Sequence, residues 1–134
     1  MKELLLVGAG SCLGGMARYI VSLAFKNLSD YPLATFTANI IGCFIIGVLW
    51  TVTNKYSNMS NSISLFLMVG FCGGFTTFSS FSKESIMMML SGHYLPFLLY
   101  SFGSVILRFI ETMTGLTVAV VNIRIASVDM SENK

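Results

Sequence analysis

Four long apolar stretches fill most of this chain, separated by short polar breaks. They run from about Leu4 to Phe25, Leu33 to Thr53, Ile63 to Leu90 and Leu95 to Val121. A helix crosses a bilayer with roughly 20 apolar residues, so each stretch is long enough for one crossing. Four crossings take about 80 residues on that basis, and the chain has 134. The pattern predicts an all-α integral membrane protein: one four-span domain over residues 1–134, with a polar tail at 126–134 expected to fray. Composition agrees. Charged residues are 10% of the chain and hydrophobic residues 54%, where soluble domains are about 25% charged. The same figures disfavour a disordered chain and a disulfide-rich secreted module. A net charge of +2, scattered along the chain, is no footprint for a phosphate backbone.

Lys2 before an apolar run, followed by Ala9-Gly10-Ser11-Cys12, faintly resembles a lipoprotein signal. The apolar run is very short and no Leu stands three residues before the cysteine, so a first span is the preferred reading. With four spans, both termini share one side. That side carries Lys2, Lys55, Arg124 and Lys134, and the other carries Lys26. The positive-inside rule then favours cytoplasmic ends, by a margin small enough to leave insertion in both orientations open.

Reaction chemistry is not expected. Cys12, Cys43 and Cys72 have no ligand spacing and read as small packing residues. His93 stands alone in a loop, and no nucleophile–histidine–carboxylate set or phosphate loop is present.

Charged and strongly polar residues inside spans are functional candidates. Arg18 lies in the first span, Asn39 in the second, Lys83 and Glu84 in the third, and Arg108 and Glu111 in the fourth. Arg108 and Glu111 are three apart and share a helix face, which suits an ion pair. Lys83 and Glu84 fit a place near the membrane surface as well as a role in transport. The third span carries a glycine cluster, Gly70 to Gly74, then Phe75-Thr76-Thr77-Phe78-Ser79-Ser80-Phe81. Glycine weakens helix, and a break inside a membrane is tolerated where it is buried or lines a cavity. Freed carbonyls at such a break commonly hold a cation. Close helix contact is the competing reading, since Gly10/Gly14 and Gly70/Gly74 have small-xxx-small spacing.

Phe75, Phe78 and Phe81 recur every three residues among hydroxyls. Ring edges are positive and can face an anion. The Asn39 amide and nearby hydroxyls can donate to it. Tyr100, Ser104 and Arg108, spaced by four, continue a polar stripe on the fourth span. Such donors suit a small anion that must shed water, held weakly at several points.

These segments resemble the bacterial fluoride channels (Fluc, also called CrcB): Gly14-Gly15-Met16-Ala17-Arg18-Tyr19, Thr35 to Gly42, and above all Gly70 to Phe81. The resemblance covers the whole chain. It implies a multi-pass protein of the bacterial inner membrane that passively exports fluoride and relieves its toxicity. It also implies an antiparallel, dual-topology dimer with two pores. A structural, untransported sodium would sit at the centre, on the backbone carbonyls of Gly73 and Thr76. By matching positions, Asn39 is the pore amide, and Phe78 and Phe81 are the ring pair beside the fluoride path. Ser79, Tyr100 and Ser104 belong to the polar track, Glu84 lies near one pore mouth, and Arg18 is the first-span arginine.

Arg108 and Glu111 depart from the family, whose fourth span is usually uncharged. Arg108 is open to three readings: pairing with Glu111, attracting anions, or obstructing one pore. Some members work as oppositely oriented paralogues, so an obligate heterodimer with a pore-poor subunit is the alternative to a homodimer. A small multidrug-type transporter, coupled to protons, is a further alternative. It needs a membrane-embedded carboxylate, for which Glu3 lies at a span end and Glu111 is the deep candidate.

Overall fold

The structure, a computed structural model, describes residues 1–26, 32–55 and 61–132, with side chains to residue 128. Most of the polar breaks expected at 26–32 and 54–62 lies outside the described residues, as do the last two residues of the tail. Helix α1 spans Lys2–Phe25 and α2 spans Leu33–Lys55. The third crossing begins as a helical turn, α3 (Asn61–Ser64), and becomes a π-helix over Leu65–Cys72. A short turn follows, α4 (Gly73–Phe75), then two extended residues, then α5 (Phe78–Leu90). Helix α6 runs from Tyr94 to Glu132. In hydrocarbon every backbone polar group must be satisfied within the protein, which makes helix the default for such segments. Four helical segments are long and apolar enough to cross a membrane: Lys2–Phe25, Leu33–Lys55, Asn61–Leu90 and Tyr94–Val128.

The expected break is present, and it falls at the end of the glycine cluster. Thr76 (φ −82°, ψ 154°) and Thr77 (φ −148°, ψ 125°) are extended. The glycines serve the other purpose that their spacing suggested. A Cβ on Gly10 would meet the Phe66 carbonyl, one on Gly14 the Phe71 carbonyl, and one on Gly74 the Ser11 carbonyl. Gly70 and Gly10 approach so closely that a Cβ on Gly70 would lie 2.9 Å from the Gly10 Cα. Helix α1 therefore lies directly on the backbone of the third crossing, and both readings of this segment hold, at different residues. Gly73 is the exception, with open space where its Cβ would be.

A second seam joins α2 to α6. Gly47 sits against the Thr112 carbonyl and Gly115 against the Phe44 carbonyl, so each helix offers one glycine to the other. Small residues let backbones approach in lipid, where no hydrophobic force drives helices together. The α5–α6 turn uses Gly92 at φ +77°, a left-handed conformation that glycine adopts without steric cost. The amides of Ser91, Gly92 and His93 close the end of α5 by bonding back to the carbonyls of Met87, Met89 and Met88.

Helix α6 does not stop near Val121. It continues through the segment expected to fray as far as Glu132. Its 39 residues make about 58 Å at 1.5 Å per residue, against a hydrocarbon core of about 30 Å. Buried apolar residues are few (Ala38, Cys72, Phe75, Phe81 and Ala119), while Leu4, Ile20, Trp50 and Leu99 are exposed. That distribution fits helices that present their apolar side chains to lipid. All three cysteines are free, and Cys72 is buried in the packing.

Candidate functional site

The site is built around the break. In a continuous helix the Thr77 N–H would bond to the Gly73 carbonyl and the Ser80 N–H to the Thr76 carbonyl. Here both donors are diverted. The Thr77 N–H donates to Asn39 Oδ1 at 2.7 Å, and the Ser80 N–H donates to Thr77 Oγ1 at 3.3 Å. The second bond is an N-cap for α5, the usual role of a threonine at a helix start. Asn39 Nδ2 donates to the Thr77 carbonyl at 3.0 Å. The amide of Asn39, 2% exposed on α2, thus acts on Thr77 as a neighbouring strand would, bonding both its N–H and its C=O. Arg18 Nε donates to the Gly74 carbonyl at 3.3 Å, which meets another group freed by the break. The carbonyls of Gly73 and Thr76 lose their ordinary helical donors in this arrangement. Hard cations take oxygen ligands of this type, so the two carbonyls fit the sodium site that the resemblance implies.

A ring and hydroxyl cluster adjoins the break. Phe81 is 6% exposed and packs against Phe78 (centroids 5.6 Å apart) and Tyr100 (5.3 Å). Phe78 itself is 71% exposed on the surface of the single chain. The Arg108 guanidinium lies over the Phe81 ring, 4.5 Å from its centroid. Arg108 shares a cleft of about 200 Å³ with Asn39, Gly42, Cys43, Ile46, Thr76, Thr77 and Phe78. Ser104, one turn before Arg108, is 1% exposed, and its hydroxyl has no partner. The buried hydroxyls of Ser85 and Ser101 are also unpartnered.

Glu84 is the hub at one end. Its Oε1 accepts from the Thr35 hydroxyl at 2.6 Å and its Oε2 from the Tyr100 hydroxyl at 2.8 Å. It shares a cleft of about 360 Å³ with Arg18 and Thr35. Lys83, its neighbour in sequence, is exposed and points elsewhere.

The residues singled out in the sequence thus fall into two groups. Asn39, Thr76, Phe78 and Arg108 line the smaller cleft, with Phe81 beneath Arg108, while Arg18 and Glu84 line the larger one. Tyr100 joins them through Phe81 and Glu84. Ser79 is exposed, with its hydroxyl 3.2 Å from that of Thr77. The expected Arg108–Glu111 ion pair does not form: Arg108 Nε and Nη2 are buried without any hydrogen-bond partner. The guanidinium instead turns to the face of Phe81, where the ring quadrupole attracts it.

Thr35 and Thr77, quoted in the sequence without a role of their own, take part as well. Thr35 stands one helical turn before Asn39, a spacing that puts both on one face of α2. Thr77 does the most hydrogen bonding at the break, and its place just before a new helical run was the available signal.

Comparison with known proteins adds a family. Residues 5–116 match the model of a family described as CrcB-like protein, Camphor Resistance (CrcB). A protein of Phocaeicola vulgatus, named fluoride-specific ion channel FluC, is 42% identical over 118 residues, covering 87% of this chain and 97% of its own. A protein of the same name from Chlorobium luteolum is 45% identical over 118 residues, covering 87% of this chain and 92% of its own. A third of that name, from Flavobacterium psychrophilum, is 38% identical over 121 residues, covering 89% and 98%.

Proposed function

The chain belongs to the CrcB-like family, and on that premise we propose that it is a fluoride-selective channel of the bacterial plasma membrane, with fluoride as its permeant ion. It crosses the membrane several times and exports fluoride passively, down the gradient left when hydrogen fluoride enters and dissociates inside. The observation that carries the reading is the meeting of Asn39, Phe78 and Phe81 beside a break in the third crossing. Phe78 and Phe81 present ring edges, and Asn39 keeps a second N–H on Nδ2 free of the bond to Thr77. The hydroxyls of Ser104 and Ser79 extend this set of donors, which replaces a fluoride hydration shell without one fixed tight site, while Tyr100, whose hydroxyl donates to Glu84, continues the polar track. Glu84 and Arg18 form one mouth of the path.

The assembly we infer is an antiparallel dimer of this chain. The cleft that holds Asn39, Thr77 and Arg108 opens on the surface of the single chain, beside an exposed Phe78. Polar backbone and a guanidinium at membrane depth need protein or water beside them, not lipid. A second copy supplies that cover. Sodium held by the Gly73 and Thr76 carbonyls has a structural role in this reading. The carbonyls of Gly73 and Thr76 would hold it, and its charge would offset their freed dipoles.

The test is fluoride efflux from liposomes that contain the purified protein. Efflux well above empty vesicles, reduced by Phe78→Ile and by Asn39→Ala with the dimer peak preserved in size-exclusion chromatography, is the expected result. Absence of efflux even with an oppositely oriented paralogue added overturns it. Arg108 favours one second reading: that this is the pore-poor subunit of an obligate heterodimer. In that case Asn39→Ala and Phe78→Ala leave transport by the complex unchanged. The relatives are named as channels, so Glu111 is assigned no proton-coupling role and the chain no reaction chemistry.

A further inference from the structure

Arg108 is the charge left most exposed to its own desolvation. Its Nε and Nη2 atoms are buried and unpartnered. These two N–H groups form one edge of the guanidinium, the fork that chelates a single acceptor from the side. Ser104 Oγ, one turn away on the same face of α6, is buried and equally unpartnered. A buried cation persists in a fold when something of opposite charge or rich in acceptors pairs with it. The nearby carboxylates do not serve. Both oxygens of Glu84 are engaged by Thr35 and Tyr100, and Glu111 makes no ion pair with Arg108. The remaining contact is the face of Phe81, which compensates a guanidinium only partly. That contact has a second effect. A cation over one face of a phenyl ring draws negative charge toward itself and leaves the ring edge more positive, hence a better neighbour for an anion.

The geometry points to a resident fluoride held by the Nε/Nη2 fork of Arg108, a site that slows passage through the chain's own pore. The inference rests on the channel reading above. Conduction requires binding weak enough for the ion to leave. Hydroxyls and ring edges meet that requirement, whereas a charge-assisted fork in a water-poor cleft holds the ion longer. The cleft that Arg108 lines with Asn39 and Thr77 supplies the space once the guanidinium turns its buried Nε/Nη2 edge toward it.

Thermal unfolding in detergent separates this site from transport. Sodium is held constant while chloride is replaced by fluoride. The wild-type midpoint should rise and saturate with fluoride. Arg108→Gln should abolish that rise, and Arg108→Lys, which keeps the charge without the fork, should need at least tenfold more fluoride to reach it. No fluoride-dependent rise in the wild type, an undiminished rise in Arg108→Gln, or an equal rise with chloride overturns the site. Loss of the dimer in Arg108→Gln with no anion dependence in the wild type also overturns it, and makes a partner carboxylate the counter-charge. In liposomes Arg108→Ser should release fluoride at least tenfold faster than wild type, and an unchanged or slower rate overturns the retarding role. If neither protein passes fluoride, the channel reading fails, and the thermal shift still decides for or against the site.

Discussion

The third and fourth crossings are polar in opposite ways. The third is broken in its backbone, yet Thr77, Gly74 and Ser80 at the break are met by side chains: Asn39 from α2, Arg18 from α1, and Thr77 capping α5. The fourth is a continuous helix from Tyr94 to Glu132, yet buried side-chain donors on it, at Ser101, Ser104 and Arg108, have no partner among the described residues. Buried polar groups are normally bonded. The third crossing obeys that rule at Thr77, Gly74 and Ser80, though not at Ser85, whereas the fourth carries three unmet polar side chains within two turns, at Ser101, Ser104 and Arg108. The difference separates partnered from unpartnered polar groups: removing a partnered one, such as Asn39 or Thr77, should lower stability, and removing an unpartnered one, such as Ser104, should change transport with little effect on stability.

Asn39→Ala should break the scaffold most. It leaves the N–H and C=O of Thr77 unpartnered inside the protein, at about 1–3 kcal/mol for each group. A loss of about 3 kcal/mol is expected, read as a lower urea or thermal midpoint in detergent. Asn39→Asp keeps the acceptor and loses the donor, so it should fall between. Gly14→Val should come next, because the added side chain meets the backbone carbonyl of Phe71, which cannot rotate away. Overpacking of this kind costs about 1–3 kcal/mol, and the expected sign is a lower midpoint with a broadened size-exclusion peak. Thr77→Ala removes the cap of α5 and should cost about 1 kcal/mol, measurable as a small midpoint shift. Ser104→Ala is the smallest on this scale and the sharpest test of the comparison. It deletes a buried hydroxyl that bonds to nothing in the chain, so stability should stay within about 0.5 kcal/mol of wild type, while fluoride efflux falls. A large loss of stability at Ser104, or none at Asn39, would collapse the distinction between the two crossings.

Much of this was legible in the sequence, for reasons of scale. A crossing is a property of about twenty consecutive residues, so the four helices could be marked from apolar length alone. The break was legible too, although glycines pointed to its start and the extended residues proved to be Thr76 and Thr77. A glycine cluster has low helix propensity, but packing against α1 holds Gly70 and Gly74 in helical conformation. Contacts between distant residues were less legible. The spacing of three between Arg108 and Glu111 suggested a pair along one helix, but the tertiary structure offers Arg108 an aromatic face from α5. Glu84 draws its partners from 49 and 16 residues away, and no periodicity within one helix announces them. The reciprocal seam of Gly47 and Gly115 had a signal in the sequence, since Gly47/Thr51 and Gly115/Ala119 share the small-xxx-small spacing, but nothing in that spacing pairs the two helices with each other.

The length of α6 carries a further consequence. One chain is lopsided: its last helix outruns the hydrocarbon by several turns, and Arg124 lies exposed on the part beyond Val121. A protease or an antibody directed at that mast would reach it from one aqueous compartment only. Two copies in opposed orientation would raise one mast on each side. Trypsin added to one face of the membrane would then remove the mast, by cutting at Arg124, from half of the chains and stop. Copies in a single orientation would be cut entirely or not at all, so counting the fragments would count the orientations.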